Sequence, residues 1–494
     1  MKASLRIALA AAECAPFAKT GGLADVSAAL GRALWRRGHD VRVFLPYYRR
    51  IAESGLATEP DGEAFTMEIG GRAVRTRLRR GALPNSENPA GAPLLVDFVD
   101  APDLFDREEL YTDEADESLR WTGFCRAIIE ACQHRGWSPD IVHANDWHTG
   151  LLPMMLRRAF SWDRLFQDTR TLFSIHNLGY QGVFPADDVD AMGLGELRSQ
   201  FHQERLSSGT VNLLETGLIH SHWLSTVSNT YAREIQTAEH GMGLEHVLSA
   251  REDHLAGIVN GVDYDEWCPT IDLHIPANYG PGDLSGKRVC RDRLLDELNL
   301  APGPTGPVFG IVSRMTGQKG FDLLPDILPV FLQSDDVRLV VLGSGDPESE
   351  RYFQWLRDSM PHKVGVYLGY KNDLAHRIEA GADIFLMPSR YEPCGLNQMY
   401  SLRYGTVPLV RATGGLADTV ERWDAERREG TGFCFYEMTS DALLDTMRHA
   451  LEVWKDREAW SILQASGMAR DFSWDVQVQV YEDLYAAILA EHLG

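Results

Sequence analysis

MPSRYEPCGLNQMYSLRYGTVPLVRATGGLADTV, residues Met387–Val420, decides the fold. Ahead of it, Asp383–Met387 (DIFLM) is a short apolar run of the kind buried as a central strand. Pro388–Pro393 is a loop. Gly395 opens a helical segment, Leu396–Tyr404, which Gly405 closes at the position where helices favour glycine. Val407–Val410 is the next strand, and Thr413-Gly414-Gly415 is where a second helix can start. Strand, helix, strand and helix in this order make a parallel sheet covered on both faces. One carboxylate, Glu392, then stands on a loop at the carboxyl end of a strand, with two helix N-termini facing the same crevice. Free backbone N–H groups at such termini bind phosphate, and in open α/β sheets that crevice is where ligands go.

The alternation runs outward on both sides. In the first half, apolar runs fall at Leu5–Ala12, Val41–Pro46, Pro93–Val99, Ile141–His143, Thr171–Ile175 and Trp223–Val227. Helical patterns lie between them, such as Ala24–Arg37, which ends at Gly38, and Leu119–Arg135, which ends at Gly136. Phe65–Arg79 alternates more strictly and predicts a strand pair, and Ala82–Pro93 reads as a surface loop. Asp263–Pro307, rich in Pro and Gly with one helical patch at Lys287–Leu298, reads as a bridge. The pattern restarts at Val308–Ser313, Leu339–Leu342, Val364–Tyr367, Asp383–Met387 and Val407–Val410, and the end, Trp474–Leu493, is amphipathic and helical. The expected fold class is α/β, with two Rossmann-like doubly wound domains, residues 1–258 and 259–473, facing a deep cleft, and a final helix over 474–494.

Bulk properties bound the function. A chain of 494 residues is expected to hold two or three domains. No apolar run approaches the roughly 18 residues that cross a bilayer. The opening MKASLRIALAAAECAPF has the order of a signal peptide, with a charged start, an apolar centre and small residues. A Gly-rich motif follows within a few residues, however, and would be useless on a cleaved leader, so Leu5–Ala12 reads as a buried first strand. The net charge of −23 argues against nucleic acid or an anionic membrane as partner, and an anionic substrate then needs local cations set against the global field. Seven scattered cysteines without a C-x-x-C pair fit reduced thiols and a cytoplasmic location. Nothing in the sequence sets an oligomeric state.

Several motifs carry chemistry. Lys19 precedes Gly21-Gly22 at a helix start, where glycines let a ligand approach the backbone and the lysine adds a mobile charge. Without the G-K-[ST] of a Walker loop, the same residues also serve as a plain turn. Thr20–Asp25 and Thr413–Asp418 are the same six residues, TGGLAD, which reads as two phosphate- or sugar-facing helix starts, or as a repeated strand–turn–helix device. Arg314 and Lys319 are two cations in the loop SRMTGQKG after a strand. Fixed cations there stabilise charge that builds on a departing diphosphate, although a solvated basic loop has the same composition. His143-Ala144-Asn145-Asp146-Trp147-His148 invites a metal reading, but its two histidines lack a zinc-helix spacing and no Cys or His group complements them. Cys394 lies beside a helix start, which lowers a thiol pKa, yet no base stands in its motif.

SRYEPCGLNQMYSLRYGTVPLVRATGGLADTV and KTGGLADV, residues 19–26, resemble the C-terminal and N-terminal signatures of the bacterial glycogen synthase and plant starch synthase family, and the likeness runs along nearly the whole chain. The resemblance implies a GT-B fold, with the last helix crossing back to the first domain. It implies glucosyl transfer from ADP-glucose to the non-reducing end of an α-1,4-glucan such as glycogen, with retention of configuration, UDP-glucose being the alternative donor. No metal or other cofactor is implied. By motif match, Lys19, Gly21, Gly22, Arg314, Lys319, Tyr370, Gly395, Leu396 and Asn397 fall on the donor. Glu13, Asp25, Asp146, Trp147, His176, Asn177 and Asn260 fall on the glucose or acceptor. Glu392, His176, Asp146, Arg314 and Lys319 are the catalytic set, with the His176 carbonyl beside the anomeric carbon.

Two positions depart from the family pattern: Asn397 stands where many of these synthases have threonine, and Asn145 where many have histidine. Tyr400 stands where related retaining transferases carry a second glutamate, as is usual in the bacterial synthases. Two other functions compete. A pyridoxal-phosphate glucan phosphorylase needs a Schiff-base lysine that no motif marks. A catalytically silent glucan-binding protein predicts decay at Lys19, Arg314, Lys319 or Glu392, and all four are present.

Overall fold

Several apolar runs in this chain are buried along their whole length rather than on alternate residues. Ile141–Asn145, Ile384–Met387 and Arg338–Gly343 have no exposed position, which is what a parallel sheet covered on both faces demands. The computed structural model describes residues 4–491. They divide into two units. The first takes the described residues up to Val227, Ala232–Gly261 and the segment from Trp474; the second takes Ser228–Tyr231 and Val262–Ser473.

The first unit contains strands β1 Arg6–Ala10, β2 Asp40–Pro46, β3 Glu59–Pro60, β4 Phe65–Ile69, β5 Arg72–Ala82, β6 Leu95–Asp100, β7 Ile141–Asn145, β8 Arg170–Ile175, β9 Val183–Pro185, β10 Thr210–Asn212, β11 Trp223–Thr226 and β12 Leu255–Gly257. The main sheet runs β12-β11-β8-β7-β1-β2-β6-β5-β3. It is parallel from β12 to β6, and β5 joins antiparallel to β6, β3 and β4. The strand pair expected at Phe65–Arg79 is β4 with β5, turned at Gly70-Gly71, both with positive φ as such a tight turn requires. The three-residue strands β9, β10 and β12 were not expected from the sequence; at that length they carry no periodicity to read.

The second unit contains β13 Val308–Val312, β14 Arg338–Gly343, β15 Val364–Leu368, β16 Ile384–Met387, β17 Val407–Arg411 and β18 Phe433–Phe435. These form one all-parallel sheet in the order β15-β14-β13-β16-β17-β18. Counted within the unit this is 3-2-1-4-5-6, the doubly wound order of dinucleotide-binding domains. The parallel part of the first sheet follows the same rule, winding one way from β1 through β2 and the other way through β7. Each unit therefore has one switch point, between β1 and β7 in the first and between β13 and β16 in the second. Adjacent loops leave in opposite directions there and open a crevice at the carboxyl ends of the strands.

Helix bounds shift by a residue or two from the sequence reading: Gly22–Arg36, Glu117–His134, Ser285–Glu297 and Asn397–Arg403. The last helix, Trp474–Ala490, belongs to the first unit and packs against Gly22–Arg36. Glu482 takes Arg37 and His39, and the Tyr485 hydroxyl meets His143 Nδ1 at 2.8 Å.

Candidate active site

Many of the predicted residues lie at the carboxyl ends of strands at or beside the switch points, while Asn260 follows β12 and Tyr370 follows β15. In the first unit the loop after β1 carries Glu13, Lys19, Gly21 and Gly22, the turn after β7 carries Asp146 and Trp147, and the loop after β8 carries His176 and Asn177. In the second, the loop after β13 carries Arg314 and Lys319, and the loop after β16 carries Glu392, Gly395 and Leu396.

Glu13 is the anchor of the first loop. Its carboxylate accepts from the Thr20 and Gly21 amides at 2.5 and 3.1 Å, and from the Thr20 and Tyr111 hydroxyls, each at 2.6 Å. The charge stands where the macrodipole of helix Gly22–Arg36 favours an anion. Gly21, expected on the donor side, gives its own amide to this carboxylate. The backbone there stays open, since a Cβ on Gly21 or Gly22 would meet nothing within 4 Å. Lys19 reaches Asp25 at 2.7 Å, both partly exposed, so the cation and the acid of the motif face each other across the first helical turn.

Asp146 is held in a rare backbone conformation, φ 56° and ψ 177°, which glycine tolerates and aspartate does not adopt unaided. Its Oδ1 accepts the His176 amide at 2.8 Å, and its own amide bonds the Ser174 carbonyl at 2.9 Å. The β7 turn is thereby fastened to the end of β8. Burial lifts the Asp146 pKa to about 7 against the pull of the His176 and Asn177 amides. His176 meets Asn145 Oδ1 through Nε2 at 2.8 Å. Because Asn145 Nδ2 donates to the Ala10 carbonyl, its oxygen is the acceptor, and His176 carries its proton on Nε2. Burial pushes His176 down to about 4, so the ring is neutral at ordinary pH. Asn145 thus has a positioning task that fits this residue type. Trp147 stacks on His148 with centroids 4.0 Å apart, and Gly182 lies so close to the indole that a Cβ there would overlap it. His143 and His148 are buried, His143 between Tyr485 and Ser174. Asn260 is buried, and its Oδ1 has no hydrogen-bond partner among the described residues.

In the second unit Lys319 Nζ bonds Glu392 Oε2 at 2.6 Å, and the Ser389 hydroxyl donates to the same oxygen at 2.9 Å. The two loops are zipped beside this pair: the Arg390 amide donates to the Gln318 carbonyl at 2.8 Å and Gln318 Nε2 to the Tyr391 carbonyl at 3.2 Å. Gly320 packs on the Pro388 carbonyl so closely that no side chain fits. Arg314 is exposed while its neighbour Met315 is pinned, its amide on the Ser344 carbonyl at 2.8 Å. Asn397 donates to the Val312 carbonyl at 2.7 Å, so its side chain ties the helix start to the end of β13 instead of capping the helix. Tyr370 is exposed, and its hydroxyl donates to Asn372 at 2.8 Å.

The repeated TGGLAD has two different jobs. At Thr413–Asp418, a Cβ on Gly414 would strike the Glu392 carbonyl and one on Gly415 the Cys394 carbonyl, and the Gly415 amide bonds the Glu392 carbonyl at 3.0 Å. These glycines let the Glu392 loop lie against the helix, which fits the strand–turn–helix reading of the repeat. Asp418 is also committed, accepting the Thr230 amide at 3.0 Å and its hydroxyl at 2.6 Å.

Comparison with known proteins agrees with this layout. The family model described as starch synthase catalytic domain matches residues 6–250, and that described as glycosyl transferases group 1 matches residues 299–462. The glycogen synthase of Koribacter versatilis is 44% identical over 97% of this chain and 98% of its own length, and that of Myxococcus xanthus is 44% identical over 99% and 100%. The solved catalytic domain of Starch Synthase IV from Arabidopsis thaliana, bound to ADP and acarbose, superposes with a TM-score of 0.88 at 31% identity, covering 99% of this chain and 100% of that one. With the residues of both switch points in place, this chain belongs to the glycogen synthase family of glycosyltransferases.

Proposed function

We propose that this enzyme transfers glucose from ADP-glucose to the non-reducing end of an α-1,4-glucan with retention of configuration, elongating glycogen. The observation that carries the reading is the Lys319–Glu392 pair at the second switch point, with exposed Arg314 on the same loop. Lys319 has three N–H donors and gives one to Glu392, which leaves two for diphosphate oxygens. Charge on a leaving diphosphate is larger in the transition state than in the ground state, so Arg314 and Lys319 act mainly on turnover. Glu392, fixed by Lys319 and Ser389, balances positive charge growing at the anomeric carbon. Tyr400 removes a second carboxylate from the family's alternative position, so Glu392 acts alone there. In the first unit the Asp146 carboxylate and the unpaired Asn260 oxygen are acceptors for sugar hydroxyls, and Lys19 adds charge for the donor. Relatives named glycogen synthase and a relative solved with ADP support the donor and acceptor classes.

The test supplies purified protein with glycogen and either ADP-glucose or UDP-glucose, and measures released nucleotide and the anomeric configuration of the new linkage. Faster release from ADP-glucose with α-linked product is expected. Faster release from UDP-glucose, or a β-linked product, would overturn the donor or the stereochemical assignment.

A further inference from the structure

Away from its switch point, the first unit holds another cluster of ligating side chains. His202 directly precedes helix Gln203–Ser207, Glu215 lies in the first turn of Leu213–His220, and His246 lies in Glu245–Ser249. One ligating atom from each is within 4.8 Å of the other two. Glu215 is 1% exposed. Its Oε2 accepts from Arg205 Nε at 2.6 Å, while Oε1 is buried and has no hydrogen-bond partner. His202 Nδ1, 3.5 Å from the Glu215 carboxylate, is buried and equally unpartnered. A buried carboxylate oxygen and a buried imidazole nitrogen that satisfy nothing else are costly to desolvate. Two ligands of a tetrahedral zinc ion, each about 2.1 Å from the metal, stand about 3.4 Å apart.

We propose that His202, Glu215 and His246 form a divalent-cation site of the zinc class, with water completing the coordination. Two imidazoles and one carboxylate suit zinc and its late first-row neighbours better than magnesium or calcium, which take oxygen. His246 is exposed and supplies the third ligand by a small side-chain rotation. Arg205 orients the carboxylate as an outer partner, and its positive charge opposes the ion, which moderates the affinity. The ion would cross-link three short helical segments. One of them, Leu213–His220, starts with its Leu213 amide on the Gly182 carbonyl, at the end of the loop that carries His176 and Asn177.

The experiment uses the full chain, stripped with a chelator and titrated with zinc chloride in competition with a chromogenic indicator. One tight equivalent per chain is expected. His202→Gln and His246→Gln should each weaken it about tenfold or more. Zinc should also raise the unfolding temperature of the unsubstituted chain, and at the same zinc concentration raise that of His246→Gln clearly less. Glu215 is packed against Arg205, so its substitution disturbs folding; exposed His246 is the deciding position, with folding checked by circular dichroism. Equal zinc affinity in the unsubstituted chain and His246→Gln, or no stoichiometric binding, would overturn the site.

Discussion

At the scale of single residues, the proposed chemistry rests on buried charges that constrain one another. Glu392 is almost fully buried and Lys319 partly so. Removing the lysine leaves the carboxylate with the Ser389 hydroxyl as its hydrogen-bond partner among the described residues, so Lys319→Ala should cost about 3 kcal/mol of stability as well as turnover. Glu392→Gln keeps shape and hydrogen bonding, and should fold normally, bind ADP and turn over far more slowly. The double variant should be more stable than Lys319→Ala alone. Loss of rate should reach about a hundredfold in Lys319→Ala and Arg314→Ala with little change in donor KM. Thermal melts and steady-state kinetics on the four proteins check these expectations, and near-normal turnover in Glu392→Gln would remove its electrostatic role.

Asp146 gives a pH signature of its own. Its pKa is raised from 3.8 to about 7, so the folded chain holds this proton more tightly than the unfolded chain. The associated stability is complete below about pH 4 and is lost as pH rises through about 7. If the carboxylate is the form that grips the sugar, turnover should rise between about pH 6 and pH 8, and Asp146→Asn should flatten that rise. His176, held near 4, adds no inflection in this window. A pH–rate profile that is unchanged in Asp146→Asn would assign the ionisation elsewhere.

At the scale of elements, the two TGGLAD helix starts predict opposite responses to one added methyl group. Gly415→Ala, which drives a Cβ into the Cys394 backbone, should destabilise the second unit by about 3 kcal/mol and displace Glu392. Gly21→Ala meets open space at an extended φ of −152° and should change stability by less than about 1 kcal/mol. Denaturant melts of the two variants decide it, and equal costs would contradict the division of labour. Such asymmetry marks where sequence reading stops. Runs such as Val308–Val312 and Ile384–Met387 are legible because burial on both faces demands unbroken apolar strands, and their carboxyl ends then locate Arg314, Lys319 and Glu392. Which amide is occupied by which carbonyl is a tertiary fact. Nothing local tells that Glu13 fills the start of one helix or that the Glu392 carbonyl fills the other. The His202, Glu215 and His246 group is invisible for the same reason: its members come from three segments with no ligand spacing between them.

At the scale of the whole molecule, the first unit is discontinuous, built from residues up to Gly261 and again from Trp474. The returning helix buries Val478, Tyr481, Tyr485 and Ile488, and Trp474 sits against Gly261, where a Cβ would collide with the indole. Truncation after Ser473 should therefore leave an apolar face on the helix Gly22–Arg36 side and yield protein that aggregates or melts many degrees lower. Tyr485→Phe, which removes only the bond to His143, should cost about 1 kcal/mol. A truncated protein that melts like the full chain would show the helix to be dispensable. The discontinuity also has a consequence in time. On a ribosome adding about 5–20 residues per second, the roughly 210 residues between Gly261 and Trp474 take about 10–40 s to emerge. For that interval the nascent first half has an uncovered apolar seam, the kind of transiently exposed surface that promotes aggregation.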